Sequence, residues 1–341
     1  MIWGQDFLAA MLAAAAALII CLAARPLARH LRVIDYPDGV RGRKQHARPT
    51  PLVGGLAVMV PTLAALLFLA PGSYGFGLVA ALSVMVMLLL GLLDDRADLA
   101  AALRLAVCAV TLAVAIEISP DMRLHFLRFS FLDQTILLGG VGSVTFTVLC
   151  LLALQNAVNM ADGKNGLVIG MSLCWSGLLW LSLPAGMSPI LAVFTAALAV
   201  TFLFNLNGRL FLGDAGSYSI SIFIGLLAIY AYNQGFDRLP ADSVALWFWV
   251  PMLDMLRLII SRVGRGQPPF KGDRTHFHHL LYAVMPWRYG LMLYLALVLV
   301  PGLLALALPE FTLLLAIITT LSYGLLYIAL TRRPRLFGET R

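Results

Sequence analysis

Charged residues are scarce in this chain. Asp, Glu, Lys and Arg together supply only 12% of the 341 residues, whereas hydrophobic residues supply 61%. The mean hydropathy is +0.90. An ordinary soluble domain has about 25% charged residues, because its surface faces water. The composition therefore excludes a typical soluble domain and predicts an integral membrane protein.

Cysteines are few, and a basic leader is lacking. The four cysteines lie singly within apolar stretches, with no CxxC pair. This pattern argues against a disulfide framework or a zinc site. The opening stretch MIWGQDFLAAML contains no basic residue. We therefore expect the first apolar run to be retained as a membrane span rather than cleaved as a signal peptide.

Long polar segments are also lacking, and apolar runs fill the chain. A helix needs about 20 apolar residues to cross the hydrocarbon core. The predicted spans are 6–28, 51–70, 75–93, 99–118, 136–158, 166–184, 189–206, 214–233, 243–262, 289–308 and 311–330. The predicted fold is an all-α polytopic membrane protein with about 11 transmembrane helices. We expect a single integral membrane domain over residues 1–341.

The basic residues predict the orientation of these spans. Of the 24 Lys and Arg residues, all except Arg123, Arg128 and Arg238 fall on one side of the predicted topology. Short cytoplasmic loops are rich in Lys and Arg. The N-terminus is therefore predicted to be periplasmic and the C-terminus cytoplasmic. The net charge of +7 is mostly explained by topology, so it does not imply a nucleic-acid partner.

An acidic cluster ends the third predicted span. Asp94, Asp95 and Asp98 follow an apolar run within GLLDDRAD. At helical spacing Asp94 and Asp98 share a face, so all three carboxylates are expected to border one cavity. Such oxygen-rich clusters suit Mg²⁺ or Mn²⁺. The alternative is a helix-end charge cluster paired with Arg96 or Arg104.

Two further clusters combine Asn, Asp and Gly near the same membrane face. In QNAVNMADGKNGL, residues Asn156, Asn159 and Asp162 recur every three positions before a glycine-rich turn. Such side chains can bracket a nucleotide, although a plain turn is the alternative. In FNLNGRLFLGDAGSYS, Asp214 follows Gly213, so the backbone can approach a ligand closely. The competing interpretation makes Asp214 an ordinary helix N-cap.

Histidines and basic residues form the remaining clusters. The stretch RGQPPFKGDRTHFHHLL contains His276, His278 and His279. No thiolate or carboxylate is spaced to complete a tetrahedral metal site, so we interpret these imidazoles as donors to phosphate oxygens. Lys44 and His46 precede the second span. A solvated basic loop is the alternative for both segments. Acids for a divalent cation and bases for phosphate together indicate phosphoryl-type transfer.

The order of these motifs resembles the polyprenyl-phosphate N-acetylhexosamine-1-phosphate transferases, glycosyltransferase family 4. The matching stretches are RKQHARPTPLVGG, GLLDDRAD, NAVNMADGKNGL, FNLNGRLFLGDAGS and DRTHFHHL, in that order between residues 35 and 281. Asp98 and the HFHH segment favour the undecaprenyl-phosphate GlcNAc-1-phosphate transferase branch. Residues 289–341, the last two spans and the tail, lie outside the motif-bearing core.

The resemblance implies a role for each matching residue. Asp214, Asp94 and Asp95 would hold Mg²⁺, or Mn²⁺ in its place, on the diphosphate. The residues implied to be catalytic are Asp94, Asp95, Asp98, Asp162, His278 and His279. Those implied to bind substrate are Lys44, His46, Asn159, Asn165, Asn205, Phe211, Arg274 and His276. Asn165 departs from the family, which often has Asp there, and an amide supplies no negative charge.

The resemblance also implies the partners and the location. The expected substrates are a UDP-N-acetylhexosamine and undecaprenyl phosphate, in a bacterial inner membrane with the site facing the cytoplasm. A homodimer is compatible with the family. Because a phosphate dianion is already a nucleophile, we favour direct in-line attack by the lipid phosphate over attack by an aspartate. A transporter or lipid flippase without chemical conversion is the alternative function.

Overall fold

The computed structural model describes residues 2–37, 48–70, 74–268 and 275–333. It is almost entirely helical. The α-helices, in chain order, are α1 (Ile2–Leu22), α2 (Ala24–Leu31), α3 (Gly54–Phe68), α4 (Tyr74–Ala97), α5 (Ala101–Ile118), α6 (Gly140–Ala161), α7 (Leu167–Ser182), α8 (Ser188–Leu206), α9 (Gly213–Gly235), α10 (Ala241–Trp247), α11 (Trp249–Val263), α12 (Phe277–Val284), α13 (Trp287–Ala307) and α14 (Thr312–Thr331). Two short hairpins add the strands β1 (Ile34–Asp35), β2 (Thr50–Pro51), β3 (Phe126–Leu127) and β4 (Ile136–Leu137).

Each of the eleven predicted spans overlaps helical residues, but fewer of them are complete spans. Within the described ranges, seven helices are long and apolar enough to cross a membrane. The helix pairs α1 with α2 and α10 with α11 bend by 69° and 72°, and counting each pair as one span gives nine. The helices α3 and α7 are apolar but shorter, at 15 and 16 residues. The chain is therefore a multi-pass helical membrane protein, whose described residues contain seven complete candidate spans, or nine when each bent pair is counted once. The number of about 11 stays a prediction.

Two compact units divide the chain, and each combines two segments. The first unit comprises Met1–Met122 and Leu183–Leu226. Within it, α8 packs along α1 and α3, and α3 packs on α4. The C-terminal arm of the first span, α2, turns its alanine face toward a buried cluster that contains Val33, Val53 and Leu210.

A backbone pairing in the first unit joins two sequence motifs that are far apart in the chain. Strand β1 pairs antiparallel with β2, and Leu52 forms a parallel bridge with Phe211. The backbone N–H of Phe211 donates to Pro51 O at 2.8 Å, and Gly54 N donates to Phe211 O at 2.9 Å. The PTPLVGG and GRLFLGD segments are consequently fixed against each other just before α3 and α9 begin.

The second unit comprises Arg123–Ser182 and Leu227–Arg341. Here α13 packs against α7, α10 and α14, and α12 packs on α13 and α14. The indole N–H of Trp175 in α7 donates to the backbone oxygen of Trp247 at 2.8 Å, where α10 ends. The prediction of a single domain over the whole chain stays a prediction.

Candidate active site

The DDRAD motif marks the end of α4. Asp94 and Asp95 occupy its last turn, and the helix stops at Ala97. Asp98 has φ of +47°, in the left-handed region, and its backbone N–H donates to Asp94 O at 2.9 Å. Asp98 is exposed, whereas Asp94 is buried. Asp98 therefore lies one residue beyond the end of α4, and the helical spacing that related it to Asp94 does not continue through it. Its role at the site stays a prediction.

Asp94 is surrounded by donors. Its Oδ2 atom accepts from the guanidinium of Arg104 and from the hydroxyl of Tyr218, the latter at 2.7 Å. Its Oδ1 atom accepts from the backbone N–H of Leu99 at 2.8 Å. Arg104 also donates to the Tyr218 hydroxyl at 2.9 Å. The alternative pairing of the acidic cluster with Arg104 is thus observed, and it fixes the orientation of the Asp94 carboxylate.

Asp95 caps the N-terminus of α9. Its carboxylate oxygens accept the backbone N–H groups of Asp214 at 2.9 Å and of Ala215 at 3.2 Å. Gly213 makes this approach possible: its φ is +76°, and a Cβ there would lie 2.6 Å from Asp95 Oδ2. The helix end is therefore capped by a residue from another helix, and Asp214 lies inside the first turn rather than serving as the N-cap.

The acidic side chains of the first unit interact with one another. The carboxyl groups of Asp94 and Asp214 are within hydrogen-bond range, and Asp35 acts electrostatically on Asp95. Such closely spaced carboxyl groups repel each other unless a proton or a cation lies between them. Each carboxylate has about four acceptor positions. Asp94, which accepts from Arg104, and Asp95, which accepts from the α9 amides, therefore keep further acceptor positions for a metal. The donor set fits Mg²⁺ or Mn²⁺.

Asn205 and Phe211, also in the first unit, flank the turn that precedes α9. Asn205 is buried at the end of α8, and its Nδ2 donates to Leu210 O at 3.0 Å. Phe211 is partly exposed beside the β-bridge to Leu52. The structure thus uses part of the Asn205 amide to stabilise the turn. Stacking of the Phe211 ring on a base stays a prediction.

The glycine-rich turn of the second unit lies against the histidine helix α12. Asp162 follows the last residue of α6, and Asn159, Asp162 and Asn165 are partly buried. A Cβ at Gly163 would overlap Nε2 of His278 and lie 3.3 Å from Nε2 of His279. The turn is held by Trp287, whose indole donates to Asn165 O at 2.7 Å. The ADGKNG and HFHH motifs therefore meet in this unit.

The three histidines form one stacked group. The rings of His276 and His278 are 5.3 Å apart and nearly parallel, and those of His278 and His279 are 4.3 Å apart. Neither ring nitrogen of His278 has a hydrogen-bond partner among the described residues. Burial lowers the pKa of His278 well below its ordinary value, with further lowering by the neighbouring His279, His276 and Lys164. We therefore expect His278 to be a neutral imidazole at pH 7, with both of its ring nitrogens buried.

Several residues at these sites were not identified from the sequence. Tyr218 lies one helical turn after Asp214, an i, i+4 spacing that could have indicated its place beside the acids. In the second unit, Asp254, Arg257 and Tyr323 contact the segment that carries His276, through His276, the Thr275 backbone oxygen and the Phe277 ring in turn. Asp254 and Arg257 lie in the middle of the mainly apolar helix α11, and charged residues inside a membrane helix generally mark a functional region.

Three predicted residues have no structural description. Lys44, His46 and Arg274 lie outside the described residues. Their assigned contacts with substrate stay predictions. The roles of the other site residues also stay predictions.

Comparisons with known proteins identify the family. The profile of glycosyl transferase family 4 matches residues 77–232. A relative from Yersinia pestis named undecaprenyl-phosphate alpha-N-acetylglucosaminyl 1-phosphate transferase is 32% identical over 269 residues, covering 76% of this chain and 72% of the relative. The Escherichia coli K12 protein of the same name is 30% identical over 278 residues, covering 76% and 71%.

A third relative extends the comparison to another bacterial group. The probable undecaprenyl-phosphate N-acetylglucosaminyl 1-phosphate transferase of Bacillus subtilis is 30% identical over 274 residues, covering 78% of this chain and 74% of the relative. The helical fold and these matches define a multi-pass membrane transferase. The chain belongs to the undecaprenyl-phosphate GlcNAc-1-phosphate transferases within glycosyl transferase family 4.

Proposed function

We propose that the protein transfers N-acetylglucosamine 1-phosphate from UDP-GlcNAc to undecaprenyl phosphate, releasing UMP. The product, undecaprenyl-diphospho-GlcNAc, would begin the synthesis of O-antigen or a related cell-surface polysaccharide. The names of the relatives support the sugar and the lipid. The observation that carries the proposal is the acidic group of Asp94, Asp95 and Asp214, which the fold assembles from α4 and the first turn of α9.

We assign a divalent metal ion to two carboxylates of the acidic group, since Mg²⁺ is usually bound through one or two carboxylates together with substrate phosphates. Asp214 and Asp94 would be its main ligands, and Asp95 would hold the α9 end that carries Asp214. When bound, Mg²⁺ neutralises the diphosphate and makes UMP a better leaving group. Arg104 balances the remaining charge of Asp94. The residues then act mainly by positioning, and the lipid phosphate attacks the β-phosphorus of the donor directly.

The second unit would bind phosphate and nucleotide groups. Imidazole N–H donors from His276, His278 and His279 suit phosphate oxygens. Asn159 and Asp162 flank the turn against which these rings pack, and we assign them to the uridine. Basic residues concentrate on one side of the predicted topology, so we place the reaction at the cytoplasmic face of a bacterial inner membrane.

Purified protein in detergent, with undecaprenyl phosphate, Mg²⁺ and a panel of UDP-sugars, tests the proposal. We expect UMP and a lipid-linked sugar diphosphate with UDP-GlcNAc. Removing the metal with EDTA should stop turnover, and Mg²⁺ or Mn²⁺ should restore it. The Asp214→Asn variant should lose turnover without unfolding. No product with any UDP-N-acetylhexosamine would refute the enzyme, and product only with another sugar would refute the GlcNAc assignment.

A further inference from the structure

A buried carboxylate of the second unit belongs to none of the motifs predicted from the sequence. Asp254 is only 4% exposed and sits within the apolar helix α11. It accepts from Arg257 Nη2 at 2.7 Å and from the Tyr323 hydroxyl at 2.8 Å. Burying an isolated carboxylate costs several kcal/mol, so such a group persists only with charged and hydrogen-bonding partners. These two partners stabilise Asp254 as a carboxylate.

The same carboxylate faces the histidine segment. Asp254 Oδ2 lies 3.3 Å from Nδ1 of His276. The backbone N–H of Phe277, the first residue of α12, is 3.2 Å from Oδ1 and 3.3 Å from Oδ2. Asp254 thus satisfies an N-terminal amide of α12 and fixes the ring orientation of the residue before it. With Nδ1 directed at Asp254, His276 presents Nε2 on the other side of its ring.

The geometry favours an anchor over a metal site. Asp254, His276 and His278 have ligand atoms within 4.8 Å of one another, which is compatible with a bound ion. However, Asp254 already receives donors from Arg257, Tyr323 and the α12 amide. An ion would have to displace these contacts and also compete with the Arg257 charge. The existing contacts instead resemble the carboxylate partners that orient functional imidazoles.

The C-terminal helix α14 completes this arrangement. Tyr323 donates to Asp254, and its hydroxyl also accepts from Arg257 Nε at 3.0 Å. Arg257 lies over the Tyr327 ring, 4.5 Å from its centroid. The Tyr323 ring packs against Phe277, with centroids 4.9 Å apart. A helix beyond the family match at residues 77–232 therefore supports the histidine segment.

We propose that Asp254, held by Arg257 and Tyr323, is a positioning residue that orients His276 toward a phosphate group of the nucleotide-sugar donor. This inference rests on the proposed function, in which His276 binds phosphate. Asp254 itself does not touch substrate. It fixes the rotation of the imidazole and the start of α12, so that His276 carrying both ring protons donates Nδ1–H to Asp254 and Nε2–H to a phosphate oxygen.

A double-mutant cycle tests this role. The variants are Asp254→Asn, which is isosteric, His276→Ala and the double variant, compared by kcat/KM for UDP-GlcNAc. We expect Asp254→Asn to lower this ratio by about 10–100-fold, as loss of an orienting partner does. In the His276→Ala background the further loss should be less than about threefold, because the oriented group is gone. The KM for undecaprenyl phosphate should stay unchanged.

A milder pair of variants covers the case in which Asp254→Asn does not fold. Tyr323→Phe removes one hydrogen bond to Asp254 but leaves its ion pair with Arg257. We expect roughly a fivefold rise in KM for the donor, since a single hydrogen bond is lost. Tyr327→Phe is the matched control. It deletes the same hydroxyl one turn along α14, keeps the ring beneath Arg257, and should leave KM unchanged.

Distinct outcomes separate this inference from the proposed function. Losses that multiply in the double variant, or equal effects of Tyr323→Phe and Tyr327→Phe, would overturn the positioning role. So would one equivalent of zinc that wild-type protein retains and Asp254→Asn loses. Wild-type protein that transfers no sugar phosphate would refute the proposed function instead. The cycle is then measured by UDP binding, where the same non-additivity is expected.

Discussion

The Asp95 carboxylate accepts the backbone N–H of Asp214 at 2.9 Å, across 119 positions of sequence. The two adjacent aspartates of the DD motif therefore have different structural roles. Asp94 contacts the Asp214 side chain, whereas Asp95 holds the backbone that carries it. The negative Asp95 also lies at the positive end of the α9 dipole, which adds to the attraction. Assembly of the acidic group thus depends on a helix cap.

Removal of the Asp95 carboxylate should destabilise the protein. Asp95→Ala leaves the amides of Asp214 and Ala215 without their acceptor, and we expect a loss of about 1–3 kcal/mol. Asp95→Asn keeps one acceptor oxygen and should lose less. Thermal unfolding in detergent measures both variants.

Asp98→Asn is the control for this comparison. Asp98 is exposed and has a left-handed backbone conformation, which Asn tolerates. The unfolding temperature of the Asp98→Asn variant should therefore match that of wild type. An Asp95→Ala variant as stable as Asp98→Asn would contradict the capping role.

The first turn of α9 also depends on a close helix contact. A Cβ at Gly91 in α4 would overlap the backbone nitrogen of Ala215. Gly91→Ala must therefore push α4 away from α9, and we expect destabilisation of about 1–3 kcal/mol together with loss of turnover. Turnover falls because Asp94 and Asp214 lie on the two helices that separate.

The control for Gly91→Ala is Gly177→Ala in α7, where an added Cβ meets nothing within 4 Å. At position 177 the higher helix propensity of Ala should leave the free energy of unfolding equal to that of wild type or slightly higher. Equal behaviour of the two alanine variants would show that α4 and α9 tolerate separation. Unfolding temperature and turnover are measured on the same preparations.

The contact between the glycine turn of the second unit and His278 gives a third prediction. A Cβ at Gly163 would overlap the ring of His278, which is buried and cannot move freely. Gly163→Ala should raise KM for the UDP-sugar by roughly tenfold, because a misplaced donor loses its phosphate hydrogen bond. The KM for undecaprenyl phosphate should not change.

Gly139→Ala is the matched loop control, since a Cβ there meets nothing within 4 Å. If Gly163→Ala binds the donor as tightly as Gly139→Ala does, contact with the turn does not determine the position of His278.

The sequence predicted the membrane class and the apolar runs, because hydropathy depends on composition alone. It also indicated Asp94, Asp95 and Asp214, since charged residues stand out against apolar helices. It could not predict that Asp95 caps α9 or that Asp254 lies beside His276. Those contacts depend on how separate helices pack, and no local spacing encodes them. Helical periodicity was also continued to Asp98, whereas α4 ends at Ala97 and Asp98 is left-handed.

Among the described residues, the predicted spans that are not complete candidates are α3 and α7, which are apolar but only 15 and 16 residues long. Bends are a second feature that the apolar pattern does not reveal. Hydropathy counts an apolar run without registering a bend. The bent pair α10 and α11 shows this, because the break falls at Phe248 inside a continuous apolar stretch. A run of apolar residues therefore predicts membrane burial more securely than it predicts a straight crossing.

The buried His278 should make stability depend on pH in a defined direction. Its pKa in the folded protein is well below the ordinary value of 6.5, mainly because of burial. Below pH 6.5 the unfolded chain binds a proton that the folded protein does not, so falling pH favours unfolding. The unfolding free energy should drop by up to about 1.4 kcal/mol per pH unit in this range. Above pH 6.5 this contribution should vanish.

The His278→Gln variant isolates that contribution from the other titrating groups. Unfolding temperatures from pH 5 to 8 should show a shallower acid slope for the variant than for wild type. His30→Gln, at an exposed histidine of α2, controls for the loss of one imidazole. Parallel slopes in all three proteins would mean that the folded protein accepts a proton on His278. Such acceptance requires an acceptor or water within reach of the ring, and the His278 environment of other imidazoles and Lys164 disfavours the added charge.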